Sequence, residues 1–139
     1  METTFDATAG TQPAGDPLSP AVTVAVMDAV SDLFDVVAGM DRAVAVMMGL
    51  RAEAMGQAIL SSAWGEADPS SGMSREMRRR SLRAEFACAL RIPERTAKAQ
   101  LVVSEALVHD LPKTLAALKA GEISYRHAQV MADQMVGSW

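Results

Sequence analysis

Apolar residues recur every three or four positions along the first half of the chain. Val22, Val26, Ala29, Val30, Leu33, Val37 and Met40 share one stripe, and Asp28, Asp32 and Asp35 lie off it. That period predicts an amphipathic helix. Ser19 and Pro20 supply its start, a hydroxyl cap followed by a residue suited to the first helical position. Gly39 near Asp41 predicts a break or bend. A second helix is then expected from about residue 41 to 63, with Val44, Met47, Met48, Met55, Ile59 and Leu60 apolar. Its faces are poorly segregated, which predicts a central place in the packing.

The second half is punctuated more sharply. "GEADPSSGMS" at 65–74 has loop composition. Ser74 is expected to cap a helix with Glu76 in its first turn and Leu82, Phe86, Ala89 and Leu90 buried. Pro93 ends that helix or opens the next, because the residue before proline disfavours α geometry. The next helix should run to Val108, turning inward at Ala97 and Leu101. Pro112 opens another, with Leu115 and Leu118 buried and Gly121 at the left-handed C-terminal position. Ser124 caps the last helix, which carries Ala128, Met131, Ala132 and Met135 inward. No alternating stretch is long enough for a sheet. The expected fold is all-α, a bundle of about six helices with a helix-turn-helix-like pair around Pro93. Residues 1–18 are expected to be disordered, followed by one helical domain over 19–139. Within it, 19–64 is an apolar helical half, 65–74 a loop and 75–139 a basic half.

Composition agrees with helices in close contact. Half of the 139 residues are hydrophobic but only 4% are aromatic, so Ala, Val, Leu and Met must fill the interior. The chain is long enough to bury a core. Ten Arg against three Lys, 25 Ala and no Asn suggest a GC-rich bacterial genome. A single Cys88 excludes an internal disulfide and fits a reducing cytoplasm. No start resembles a signal peptide, and no apolar run approaches the ~20 residues of a membrane span.

Charge divides the chain. Residues 1–74 hold two basic side chains against ten acidic, whereas residues 75–139 hold eleven against seven. The second half is therefore the place to look for an anionic partner. On the third expected helix Arg75, Arg79 and Arg83 follow one another at four-residue spacing. Beyond Pro93, Glu94, Arg95, Lys98 and Gln100 should face solvent while Ala97 and Leu101 face the preceding helix. In a helix-turn-helix this second helix meets base edges in the major groove, where Arg and Gln read purines and Lys neutralises phosphate. Arg95, Lys98, Gln100, Arg75, Arg79 and Arg83 are the candidate DNA-contacting residues. The bland alternative is a solvated basic face, and Arg91 stands where that motif favours glycine.

Catalytic chemistry finds no purchase. His109 and His127 lack carboxylate or cysteine partners at ligand spacing, and Cys88 reads as a buried, inert thiol. No phosphate loop, HExxH or GxSxG is present. No catalytic residue, metal site or cofactor is expected.

The segment "AEFACALRIPERTAKAQLVVSEALVHDLPKTLAALKAGEISYRHAQVMAD", 84–133, resembles the bacterial domain of unknown function 222. Glu85, Leu90, Arg91, Thr96, Ala97, Ala106, Leu107, Leu111, Pro112, Thr114, Leu118, Gly121, Ile123, Ser124, His127 and Ala128 carry the resemblance. More distantly the spacing is similar to the helix-turn-helix segment of ParB-type partition proteins. The resemblance implies a domain that precedes an HNH endonuclease domain and takes part in DNA transactions. HNH chemistry needs a water-activating His and metal-holding His, Asn or Asp groups, and such a cluster is missing from this sequence. The expected function is a non-catalytic accessory domain of an HNH-endonuclease-type protein, assisting DNA binding. The alternatives are a protein–protein interaction or dimerisation module through residues 19–63, and a truncated relic without activity.

Overall fold

A computed structural model describes residues 19–64 and 75–137. The expected disordered segment and the 65–74 loop, including Ser74, lie outside the described residues. Among the described residues there are five helices and no strand: α1 (Pro20–Trp64), α2 (Arg75–Leu90), α3 (Glu94–His109), α4 (Pro112–Lys119) and α5 (Tyr125–Val136). The fold is all-α. By packing, the chain divides into two units, Met1–Val37 and Ala38–Trp139.

The expected break at Gly39 does not occur, and α1 is one helix of 45 residues. Glycine in a helix interior costs only about 0.5–1 kcal/mol relative to alanine, too little to stop a helix with so many good formers on both sides. The two helices expected over 20–63 are therefore one, which accounts for five rather than six. Ser19 caps α1, its Oγ accepting from the Val22 N–H at 3.4 Å.

In the unit over Met1–Val37, every described residue is solvent-exposed, the apolar stripe included. Leu33 and Val37 are 64% and 62% exposed.

In the second unit α3 is the centre. Ala97, Leu101, Val103, Ser104, Ala106 and Leu107 are all buried on it. One cluster joins Val103, Ala106 and Leu107 to Ala45 and Ala52 of α1, Leu115 and Leu118 of α4, and Ala128 and Ala132 of α5. A second joins Leu101 to Met55 and Ile59 of α1, with Leu82, Phe86 and Leu90 of α2 packed against it. Interior volume thus comes from Leu and Ala rather than rings, as the composition predicts.

The C-terminal half of α1 enters this core by its small residues. Ala45, Gly49, Ala52 and Gly56 are spaced four, three and four apart, and all are buried. At Gly56 a Cβ would stand 3.0 Å from the Ser104 carbonyl oxygen and would meet the Val108 side chain. Only glycine lets α1 and α3 approach so closely. On the opposite side Val44, Met47 and Leu50 are exposed, while Met55 and Ile59 further along are buried. Residues 44–50 thus carry apolar groups on both faces, which is why the sequence pattern looks unsegregated there.

Helix ends follow local chemistry. Gly121, at φ 72°, closes α4: its N–H donates to the Leu118 carbonyl and the Glu122 N–H to that of Ala117, each at 3.0 Å. Ser124 caps α5, accepting from the His127 N–H at 3.2 Å. Met131 and Met135 of α5 are exposed, against expectation, while Ala128 and Ala132 are fully buried.

Candidate functional site

The α2–α3 connection is three residues, Arg91, Ile92 and Pro93. α2 ends as α4 does. The Arg91 N–H donates to the Cys88 carbonyl at 3.2 Å and the Ile92 N–H to that of Ala87 at 3.0 Å. Such paired bonds require a left-handed residue, and Arg91 takes it at φ 55°. The position that a helix-turn-helix reserves for glycine is thus left-handed here too, although an arginine fills it. Left-handed geometry costs a non-glycine residue about 1–2 kcal/mol. Pro93 then starts α3, and its carbonyl accepts from the Ala97 N–H at 3.0 Å.

Ala97 is fully buried and Leu101 nearly so, which orients the rest of α3. Arg95 and Lys98 are exposed, and at 100° per residue they lie about 60° apart on one flank. Gln100 does not join them. It is turned about 140° from Arg95, and its Oε1 accepts a hydrogen bond from Nη2 of Arg51 on α1. Arg51 is a functional-looking residue that the sequence did not single out; its Nε is buried without a hydrogen-bond partner among the described residues. Nothing in local spacing ties residue 51 to residue 100.

On α2, Arg75 and Arg79 are exposed and Arg83 is half-buried. Arg79 pairs with Glu105 of α3 at 2.8 Å. The pair is exposed, so it is worth about 0–1 kcal/mol and can be exchanged for a stronger anion. Arg79, Arg83, Lys98 and Glu105 rim a hollow floored by Ile59, Leu82, Leu101 and Val102. Beyond Lys98, a second hollow between α3 and α5 has Arg95 and Lys98 on one side and Gln129 and Asp133 on the other. Over residues 75–100 eight basic side chains face three acidic ones. The structure brings Arg79, Arg83 and Lys98 around one hollow and Arg95 beside Lys98 at the next.

The histidines lie apart from this surface. His109 is exposed, with Nδ1 2.8 Å from the Asp110 carboxylate. That hydrogen bond, helped by the charge, raises the imidazole above its ordinary value. His127 is exposed on α5. Cys88 is also exposed, a correction to its expected burial. Ala87 takes the inward position on α2, while Ala89, expected to be buried, is exposed. Among the described residues no three His, Cys, Asp or Glu side chains converge on a point that could hold a metal ion. No described helix is long and apolar enough to cross a membrane.

The family model described as "Domain of unknown function (DUF222)" matches residues 41–136. The chain belongs to this family. No curated protein and no solved structure matches it. The DUF222 match begins at Asp41 in α1 and ends at Val136, the last residue of α5. It takes in every buried core residue of the second unit, from Ala45 to Ala132. The basic α2–α3 surface lies wholly inside it, and the exposed stripe over 22–37 wholly outside.

Proposed function

We propose that this DUF222 domain is a non-catalytic accessory module that helps an HNH-type endonuclease domain engage duplex DNA. The observation that supports it best is the α2–α3 pair. Its three-residue turn is left-handed at Arg91, and exposed Arg95 and Lys98 stand in the first half of α3. In the helix-turn-helix arrangement that half of the second helix lies in the major groove. Arg79 and Arg83 of α2 then lie where phosphate would pass. Gln100 has no part in the contact, because Arg51 holds it. Bases are read by Arg95 alone, so sequence preference is weak and phosphate dominates affinity.

The test is fluorescence anisotropy with a labelled duplex at several salt concentrations. Arg95→Ala with Lys98→Ala should leave the fold intact, since exposed helix positions accept alanine readily. Affinity should fall, and the slope of log K against log salt should lessen by about 0.9 for each phosphate contact removed. Unchanged affinity and slope would refute the proposal.

A further inference from the structure

The apolar stripe of α1 holds a register more specific than amphipathicity. Val26, Leu33, Met40 and Met47 are seven residues apart, and so are Val22, Ala29, Val36, Ala43 and Leu50, offset by three and four. This is an unbroken a/d heptad pattern. All nine of these positions are exposed. A third column next to them, Val30, Val37 and Val44, is exposed as well. The bulky members of the three columns leave on the order of 900 Å² open, against about 800 Å² per partner in a standard interface and a few hundred in the patches of monomers. Lipid is a poor occupant: the polar side of residues 20–37 bears Asp28, Asp32 and Asp35 and no Lys or Arg, whereas membrane-surface helices favour basic polar faces.

We infer that a second copy of this chain covers the stripe, α1 pairing with α1 antiparallel about a two-fold axis at the level of Ala38. Residue sizes select this arrangement. In an antiparallel pair each a residue packs against a d residue of the other copy. With the axis at Ala38, Leu33 meets Ala43, Met47 meets Ala29, Met40 meets Val36 and Val26 meets Leu50. Both alanines thus face bulky residues, and the layers are even in thickness. A parallel pair would stack Ala29 on Ala29 and Met47 on Met47, alternating voids with overcrowding.

Flanking columns agree. Antiparallel pairing sets Val37 beside its own copy and Val30 beside Val44, burying the third column. Asp32 then faces Val46, and no acidic residue confronts another. The same stripe serves both copies, as a two-fold interface requires.

Sedimentation of the full chain at micromolar concentration should show a dimer. Leu33→Glu with Met40→Glu alters two exposed positions, so helical content should persist. Four carboxylates forced into the seam should weaken dimerisation on the order of a hundredfold or more. Orientation is read by disulfide trapping in a Cys88→Ser background. Val37→Cys should cross-link across the axis, and Val22→Cys should not, its two copies lying roughly 50 Å apart at opposite ends. A monomer throughout, a dimer indifferent to the two glutamates, or cross-linking at Val22 would each overturn the inference.

Discussion

Two stretches of α1 are equally rich in apolar residues and behave in opposite ways. Over 45–59 the inward residues are mostly small, Ala45, Gly49, Ala52 and Gly56, with Met55 and Ile59, and all six are buried. Over 22–37 the apolar residues are mostly large, and all are exposed. Hydrophobicity alone does not separate them. What differs is the surroundings of each stretch: at Gly56 the α3 backbone comes so close that a Cβ would stand 3.0 Å from the Ser104 carbonyl oxygen, whereas the Val, Leu and Met side chains over 22–37 are open to solvent. Removing side-chain volume should therefore be costly to folding in one region and nearly silent in the other.

The widest gap is expected between Leu107→Ala and Leu33→Ala. Leu107 is fully buried in the last turn of α3. Its truncation should cost about 2–5 kcal/mol, the usual range for a core leucine that leaves a cavity. Leu33 is 64% exposed on the single chain, and at concentrations where the chain is monomeric its truncation should change stability by less than about 0.5 kcal/mol. Chemical denaturation monitored by circular dichroism measures both. Equal losses would show that the two regions share one folding unit.

The glycines sharpen the same contrast with a change of sign. Gly56→Ala places a methyl 3.0 Å from a backbone oxygen and against Val108, so α1 and α3 must separate, at about 1–3 kcal/mol. Gly39→Ala meets nothing within 4 Å and should stabilise the helix by about 0.5–1 kcal/mol. Thermal melts of the two variants should move in opposite directions. A stabilising Gly56→Ala would mean the close approach does not matter.

These positions also show how far the sequence could be read. Helix ends were legible because their chemistry is local: Ser19 with Pro20, Pro112, Gly121 and Ser124 each act on backbone groups within a few residues. Family membership was legible for the same reason, since its marks sit at those ends and on the α3–α5 core. Which side of a helix is inward was less so. Ala87 and Ala89 are chemically identical, and only the placement of α3 decides that Ala87 is buried and that neighbouring Cys88 is not. The hold of Arg51 on Gln100 spans 49 positions and leaves no local mark. Gly39 marks no break because the propensity of one residue is overridden by the long helix on either side of it.

Arg91 is the next smaller effect. Its strain belongs to the second unit, at the turn that sets α3 against α2. Arg91→Gly should relieve left-handed strain and stabilise that unit by about 1 kcal/mol, while leaving dimerisation through the exposed stripe unchanged. A destabilised variant would mean that the arginine side chain contributes more than its backbone costs.

Alkaline pH offers the finest separation of the two regions. Tyr125 packs against the core cluster of α3, α4 and α5. Burial pushes its phenol above the ordinary value of 10.0, with the Arg51 charge partly opposing. The folded state thus holds the proton more tightly than the unfolded chain. The stability this represents is complete below pH 10 and is lost as pH rises from there through the folded value. Residues 20–37 contain no Tyr, Lys, Cys or His. Above pH 10 the second unit should therefore lose stability more steeply in the native protein than in Tyr125→Phe, where no phenol can ionise. Urea midpoints measured from pH 8 to 11 for both proteins give the comparison. Parallel curves would mean that the phenol reaches solvent in the folded state, and that this side of the core is looser than its packing implies.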